Sequence, residues 1–251
     1  MMVNGMKWAL TIVFLQVCWG AIAQVYPITD RSFAYATAYT ISQGHFQLET
    51  GYFGVWDLNK EELPDLTGYS GLLRYGITDA VEVRGRLGRL SFDLGDEVFS
   101  GWDGLELSTK IAVLPEGKFL PSAGLLFELD IPWAGKEGIR ESTLSPSTKF
   151  IFEKYINSTF IIGGNFGWQW LSGNEALTNY SISLRTALTE EIALYTEFYG
   201  FNNSEIGARD FVDAALEFWV LDGIALDLVI GWGVSDNADG GFWSIGASFY
   251  F

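Results

Sequence analysis

A single cysteine, Cys18, and a single histidine, His45, stand in a chain of 251 residues that holds only 6 prolines. One thiol makes no internal disulfide framework and no thiolate metal site. Imidazole chemistry is confined to wherever His45 lies. Basic residues are scarce as well: 15 Lys and Arg stand against 31 Asp and Glu, a net charge of −16. Binding phosphates requires basic side chains to replace counterions, so nucleic acid is excluded as a partner. The sequence has no P-loop, GxGxxG fingerprint, HExxH or EF-hand loop, and no cofactor is expected. The Asp/Asn-rich stretch Ser235 to Gly240 could hold Ca²⁺ weakly, but it reads first as an acidic loop.

An uncharged apolar run, Trp8 to Val17, follows Lys7 and precedes the small-residue site Ala21-Ile-Ala23. It is shorter than the ~20 apolar residues of a spanning helix. Its form predicts a secretory leader over residues 1–23, with the mature chain starting at Gln24. A lipoprotein site at Leu15-Gln-Val-Cys18 is the alternative, and bulky Val17 stands where a small residue is expected.

What the chain has in quantity is β-forming residues: 16% are aromatic, and 29 glycines punctuate them. From residue 45 onward, alternation predicts twelve strands near 45–56, 66–76, 80–91, 104–114, 121–132, 146–156, 158–171, 178–187, 191–201, 210–220, 223–234 and 241–251. Many match the ~9–11 residues that a tilted strand needs to cross a bilayer, and an even count returns both ends to one side. Short turns such as Ile77-Thr-Asp79, Leu188-Thr-Glu190 and Leu221-Asp-Gly223 alternate with more acidic connections. The latter include 57–66, 91–104, 135–145, 172–178, 202–210 and 235–240. Short periplasmic turns and longer outer loops are the arrangement of outer-membrane barrels.

The predicted fold is therefore all-β: one transmembrane, antiparallel, up-and-down barrel over 45–251, in the bacterial outer membrane. Residues 24–44 lack a strand pattern and form either a periplasmic tail or an inward plug. The final strand ends Ser244-Ile-Gly-Ala-Ser-Phe-Tyr-Phe251, the form of signal that the barrel-assembly machinery reads, which makes that machinery an expected partner. Outer-membrane lipid and lipopolysaccharide are the other expected partners, with divalent cations able to bridge acidic protein and anionic lipid. Aromatics near strand ends, including Tyr52, Trp56, Trp133, Trp168, Trp170, Phe218 and Trp243, suit the interfaces.

Charges fall mainly on one face of the strands. Val81, Val83 and Leu87 alternate with Glu82, Arg84 and Arg86, while Leu105 and Leu107 alternate with Glu106 and Lys110. With the apolar face outward, the lumen carries Arg74, Arg84, Arg86, Lys110, Lys149 and Arg185. Facing them are Glu49, Glu82, Glu106, Glu128, Asp130, Glu153, Glu197, Asp213, Glu217 and Asp227. Bases gather on the second and third strands, whereas strands nine to eleven carry acids alone. Either a polar pore with a transverse field or a closed salt-bridge network would use this set. No catalytic residue is expected, because His45 sits at the periplasmic start of the first strand. A phospholipase-type barrel needs His beside Ser at the lipid face, and an omptin protease needs it at the outer rim.

His45-Phe-Gln-Leu-Glu-Thr-Gly-Tyr52, Leu72-Leu-Arg-Tyr-Gly-Ile-Thr-Asp-Ala-Val-Glu-Val-Arg84 and Leu105-Glu-Leu-Ser-Thr-Lys-Ile-Ala-Val113 resemble the family of the MetA-pathway of phenol degradation. Leu120 to Leu126 and Asp239 to Phe251 agree with it. The resemblance implies a transporter-like outer-membrane barrel for small aromatic or hydrophobic molecules, and it carries no binding residues over. The expected function is passive passage of such a solute. A closed structural or surface-interaction barrel is the alternative, and an outer-membrane enzyme comes third.

Overall fold

The computed structural model describes residues 29–30, 34–56, 65–95, 97–140, 142–171, 175–205, 207–238 and 240–251. The expected leader, 1–23, lies outside the described residues, as do most of the connection after the first strand and Asp239 of the 235–240 loop.

Twelve strands form: β1 (Phe46–Trp56), β2 (Asp65–Thr78), β3 (Val81–Asp93), β4 (Val98–Leu114), β5 (Ser122–Ile131), β6 (Ser145–Tyr155), β7 (Phe160–Trp170), β8 (Ala176–Ala187), β9 (Ile192–Asn203), β10 (Gly207–Leu221), β11 (Ile224–Gly233) and β12 (Gly241–Tyr250). Each pairs antiparallel with its sequence neighbours, and β12 returns to β1, from Gln47 opposite Tyr250 to Trp56 opposite Gly241. Backbone bonds between Phe46 and Phe251, 2.7 and 3.0 Å, finish the seam. Closure leaves no unpaired strand edge, a necessity where no water can satisfy the backbone.

Turn chemistry matches the hairpins. Between β10 and β11 the whole turn is Asp222-Gly223, with Gly223 at φ 77°. This left-handed conformation suits glycine, and Asp-Gly is a strong two-residue hairpin signal. The connection expected at 91–104 is mostly strand instead: Asp93 pairs with Val98, Phe92 with Phe99, Leu90 with Gly101 and Arg89 with Trp102. A register shift after Gly88 and a positive φ of 123° at Gly104 absorb the irregularity. Glycine and acid at 95–104 suggest a loop, but the apolar residues among them still find partners on β3. Similarly, β9 and β10 extend to Asn203 and from Gly207, which shortens the expected 202–210 connection.

The faces have the expected polarity. Leu226, Leu228, Ile230 and Trp232 are exposed on the outside of β11, whereas Ala225 and Val229 are buried within. Val83, Leu87, Leu107, Phe127, Leu129, Phe150, Ile182, Phe198 and Ile245 extend the outer band. An apolar belt this continuous is untenable in water and is the surface that lipid requires. Leu228, 48% exposed on this belt, supplies a direct check. Leu228→Glu is expected to destabilise the barrel in lipid vesicles by up to about 2 kcal/mol in denaturant titration. No loss relative to a conservative Leu228→Ile control would contradict the outward assignment.

Candidate functional site: the barrel lumen

Inward alternation turns polar residues of the strands toward one interior, and residues 29–30 and 34–44 lie against them. Three of the expected cations converge on one acid of this segment. Arg84 Nη1 is 3.1 Å from Asp30 Oδ2, Arg74 Nη2 is 3.6 Å away, and Lys110 Nζ is in direct contact with it. Arg74 also pairs with Glu49, 2.8 Å, and Glu82, 3.0 Å. Thr37 donates to Asp30 Oδ1 through both its amide and its hydroxyl, each 2.9 Å. Burial pushes the Asp30 carboxyl up, but the surrounding Arg74, Lys110 and Arg84 charges and the Lys110 hydrogen bond outweigh it and hold it well below the usual carboxylate range.

The segment is fastened at further points along the wall. Tyr35 donates its phenol proton to Glu153, and the Ile41 amide donates to Glu82 Oε2 at 2.7 Å. Asn165 Nδ2 donates to the Ala34 carbonyl, 3.0 Å, and Lys110 Nζ to the Tyr39 carbonyl, 3.2 Å. Thr29 reaches Glu217 at 3.3 Å. Ala36 and Ala38 pack against Leu126 and Ile151, two buried apolar residues of the inner face. Near the rim, Gln43 bridges to Gly76 and its amide donates to Asp79, 3.0 Å.

Inward glycines make room for this path. A Cβ at Gly76 would lie 2.2 Å from the Ser42 carbonyl oxygen, and one at Gly163 would lie 2.3 Å from the Tyr35 phenol oxygen. At Gly124 it would sit 3.4 Å from the Ala38 carbonyl oxygen. The wall is thus relieved where the segment approaches it most closely.

The other expected lumen residues fall into separate groups. Arg86, whose side chain is 32% exposed, bonds Glu106 at 2.9 Å and Asp103 at 3.0 Å, with Asp130 at 3.9 Å. Lys149 pairs with Glu128 at 3.1 Å, and Ser147 donates to the same carboxylate at 2.6 Å. Arg185 donates to the Tyr195 phenol oxygen, which donates onward to Glu217, each 2.9 Å. Asp227 is opposite Glu217 on one side and Gly246 on the other. Glu197 and Asp213, paired across β9 and β10, are buried one inward position along β9 from Tyr195. Asp30, Tyr35, Thr37 and Tyr39 did not emerge from the alternation pattern, because they belong to no strand. His45 lies exposed at the rim, stacked on Tyr250 at 5.3 Å.

A family described as "Putative MetA-pathway of phenol degradation" matches residues 29–251. Among solved structures, the chain is similar to an outer membrane channel from Pseudomonas putida F1, at TM-score 0.61 and 13% identity, covering 91% of this chain and 100% of that one. The NanC porin follows at TM-score 0.60 and 6% identity, covering 81% and 98% respectively. A KdgM porin in complex with disordered oligogalacturonate gives TM-score 0.58 and 8% identity, covering 81% and 99%. No curated protein sequence matches. At these identities the structural likeness establishes the fold, an outer-membrane barrel.

Proposed function

The chain belongs to the MetA-pathway of phenol degradation family, and from that premise we propose that it is an outer-membrane channel for small aromatic or hydrophobic molecules, with residues 24–44 as its plug. Passage is passive and needs no cofactor or reaction. One observation supports the reading: residues 29–30 and 34–44 lie within the barrel, held to its wall through ion pairs and hydrogen bonds. Side chains alone just fill a barrel of about eight strands, and the interior widens with strand number, so these twelve strands enclose space that the segment takes up. A noncovalent filling can leave, and its departure opens a route. The family description supports an aromatic solute, and the outer belt supports residence in lipid, with lipopolysaccharide and the assembly machinery as partners.

Refolded full-length mature chain in a planar bilayer tests this reading. Brief, discrete current steps are expected, together with faster entry of a small aromatic solute into proteoliposomes than into protein-free vesicles. A folded barrel with neither property would return the chain to the anchoring role, and loss of surface binding on loop deletion would then be the deciding assay. Arg84 and Arg86 lie in successive inward positions of β3. Their joint replacement by glutamine is expected to shift reversal potential toward cation selectivity, since the lumen acids then dominate. Unchanged selectivity would remove these arginines from the ion path.

A further inference from the structure

Most strand cations turn into the lumen, but Lys154 of β6 and Arg89 of β3 fall on the outward side of the alternation. Lys154 pairs with Glu116 at 2.8 Å. Arg89 has no such acid: among the described residues no carboxylate lies within ion-pair distance of it, and it donates instead to the Ser100 hydroxyl at 2.9 Å. Register fixes its place on the wall. Tyr69 of β2 is directly opposite on one side and Trp102 of β4 on the other, 60% and 51% exposed. Tyr52, with its ring 4.7 Å from that of Tyr69, and Trp243, 5.3 Å from Tyr52, continue the aromatic row.

One outward position toward the periplasm from Arg89 is Leu87 of the apolar belt. One position the other way, Thr67, Ser91 and Ser100 stand in register. Apolar, then aromatic, then hydroxyl is the order of groups met on leaving a bilayer. Arg89 therefore lies where the head groups of the outer leaflet begin.

A hollow of about 590 Å³ borders the same row, and Thr50, Tyr52, Tyr69, Leu226, Ile245 and Ala247 are among the residues that line it. Alternation turns all six outward, in keeping with the exposure of Tyr69, Leu226 and Ile245. Thr50 and Ala247 are opposite one another, flanked by Leu48 and Phe249 on one side and by Tyr52 and Ile245 on the other. Gly71, opposite Thr50 on β2, has nothing within 4 Å of its Cβ position. Small residues thus interrupt a bulky belt. A void there would deprive its lining of dispersion contacts, so in a bilayer an acyl chain fills it.

We propose that Arg89 and this hollow form a site for one lipopolysaccharide molecule of the outer leaflet, with the guanidinium on a lipid A phosphate and an acyl chain of the same molecule in the hollow. The guanidinium fork matches phosphate geometry, and the Ser91 and Ser100 hydroxyls stand in the adjacent row. Two strand spacings, about 10 Å, separate β3 from Thr50 on β1, a span that one multiply acylated lipid covers. Charge complementarity favours the phosphate: a chain of net charge −16 mostly repels an anionic leaflet, and an outward cation without an acid is where direct contact is favourable. The site rests on the lipid-facing belt and is independent of the channel reading.

The test uses the refolded full mature chain in detergent with chelator present, titrated with deep-rough lipopolysaccharide and followed by native mass spectrometry. One retained molecule per barrel is expected, with no bridging cation needed, and dephosphorylated lipopolysaccharide should not be retained. Arg89→Gln is expected to weaken retention about tenfold or more. Ala247→Leu, which occupies the hollow without altering charge, is expected to weaken it roughly fourfold for each methylene displaced. Lys154→Gln should leave it unchanged, and gel mobility confirms that each variant folds. Undiminished retention in either Arg89→Gln or Ala247→Leu would overturn the proposal. So would equal retention of phosphatidylglycerol, or inorganic phosphate binding as tightly as the lipid.

Discussion

Asp30→Asn is expected to turn a mostly closed barrel into a mostly open one. The substitution preserves side-chain shape but removes the single negative charge on which Arg74, Arg84 and Lys110 converge. Glu49 and Glu82 still hold Arg74, so the basic cluster persists, now facing a neutral group. Removing one partner from a buried ion network costs about 3–5 kcal/mol, against roughly 1 kcal/mol for a neutral hydrogen bond and about 1.5–3 kcal/mol for one to a carboxylate elsewhere along the segment. The cost falls on the docked state alone, since in the undocked state the cations meet water. The open-to-closed ratio should therefore rise roughly 10²–10⁴-fold. Open probability in single-channel records reads this directly, and deletion of residues 24–44 should give the same conducting level. A folded Asp30→Asn barrel with the current of the unmodified chain would mean that the wall itself closes the lumen.

The barrel was legible because lipid outside and charge inside impose a period of two on every strand. Glu82, Arg84 and Arg86 against Val83 and Leu87 is that rule in five positions. The outer half of β4 escaped it because Gly95, Gly101 and Gly104 imitate a loop, while the pairing of Phe99 with Phe92 is a fact about two strands and not about one. The inner segment was hidden for a different reason. Much of its attachment runs from backbone amides to wall carboxylates, as from Ile41 to Glu82 and Gln43 to Asp79, and any residue type offers an amide. Even so, the wall carried its imprint. Leu126 and Ile151 are apolar where Ala36 and Ala38 meet the wall, and Gly76, Gly124 and Gly163 are bare where neighbouring inward positions carry side chains. An inward glycine that no turn requires marks close approach, and three of them trace where the segment lies. The lone acid of that segment, Asp30, is the residue whose role composition could not reveal, because its partners come from three different strands.

Gly76→Val extends the same logic to a steric test. A Cβ there would come within 2.2 Å of the Ser42 carbonyl oxygen and 2.4 Å of that of Ile41. These are backbone atoms, so no rotamer change relieves the overlap. Overpacking costs typically about 1–3 kcal/mol, and displacing this stretch also breaks the bond from Gly44 N to Gly76 O, at about 1 kcal/mol, and that from Ile41 N to the Glu82 carboxylate, at about 1.5–3 kcal/mol. Together they favour release of the segment by about 3–7 kcal/mol, and a marked rise in open probability should follow. Gly71, on the same strand, has nothing within 4 Å of its Cβ position, so Gly71→Val should leave conductance and stability unchanged. A third chain makes the comparison decisive. With residues 24–44 deleted, the valine at position 76 has nothing left to strike, and its effect on conductance should vanish. If Gly76→Val instead lowers barrel stability equally with and without the segment, its clash is with the wall, and the segment's closeness to β2 is not what closes the lumen.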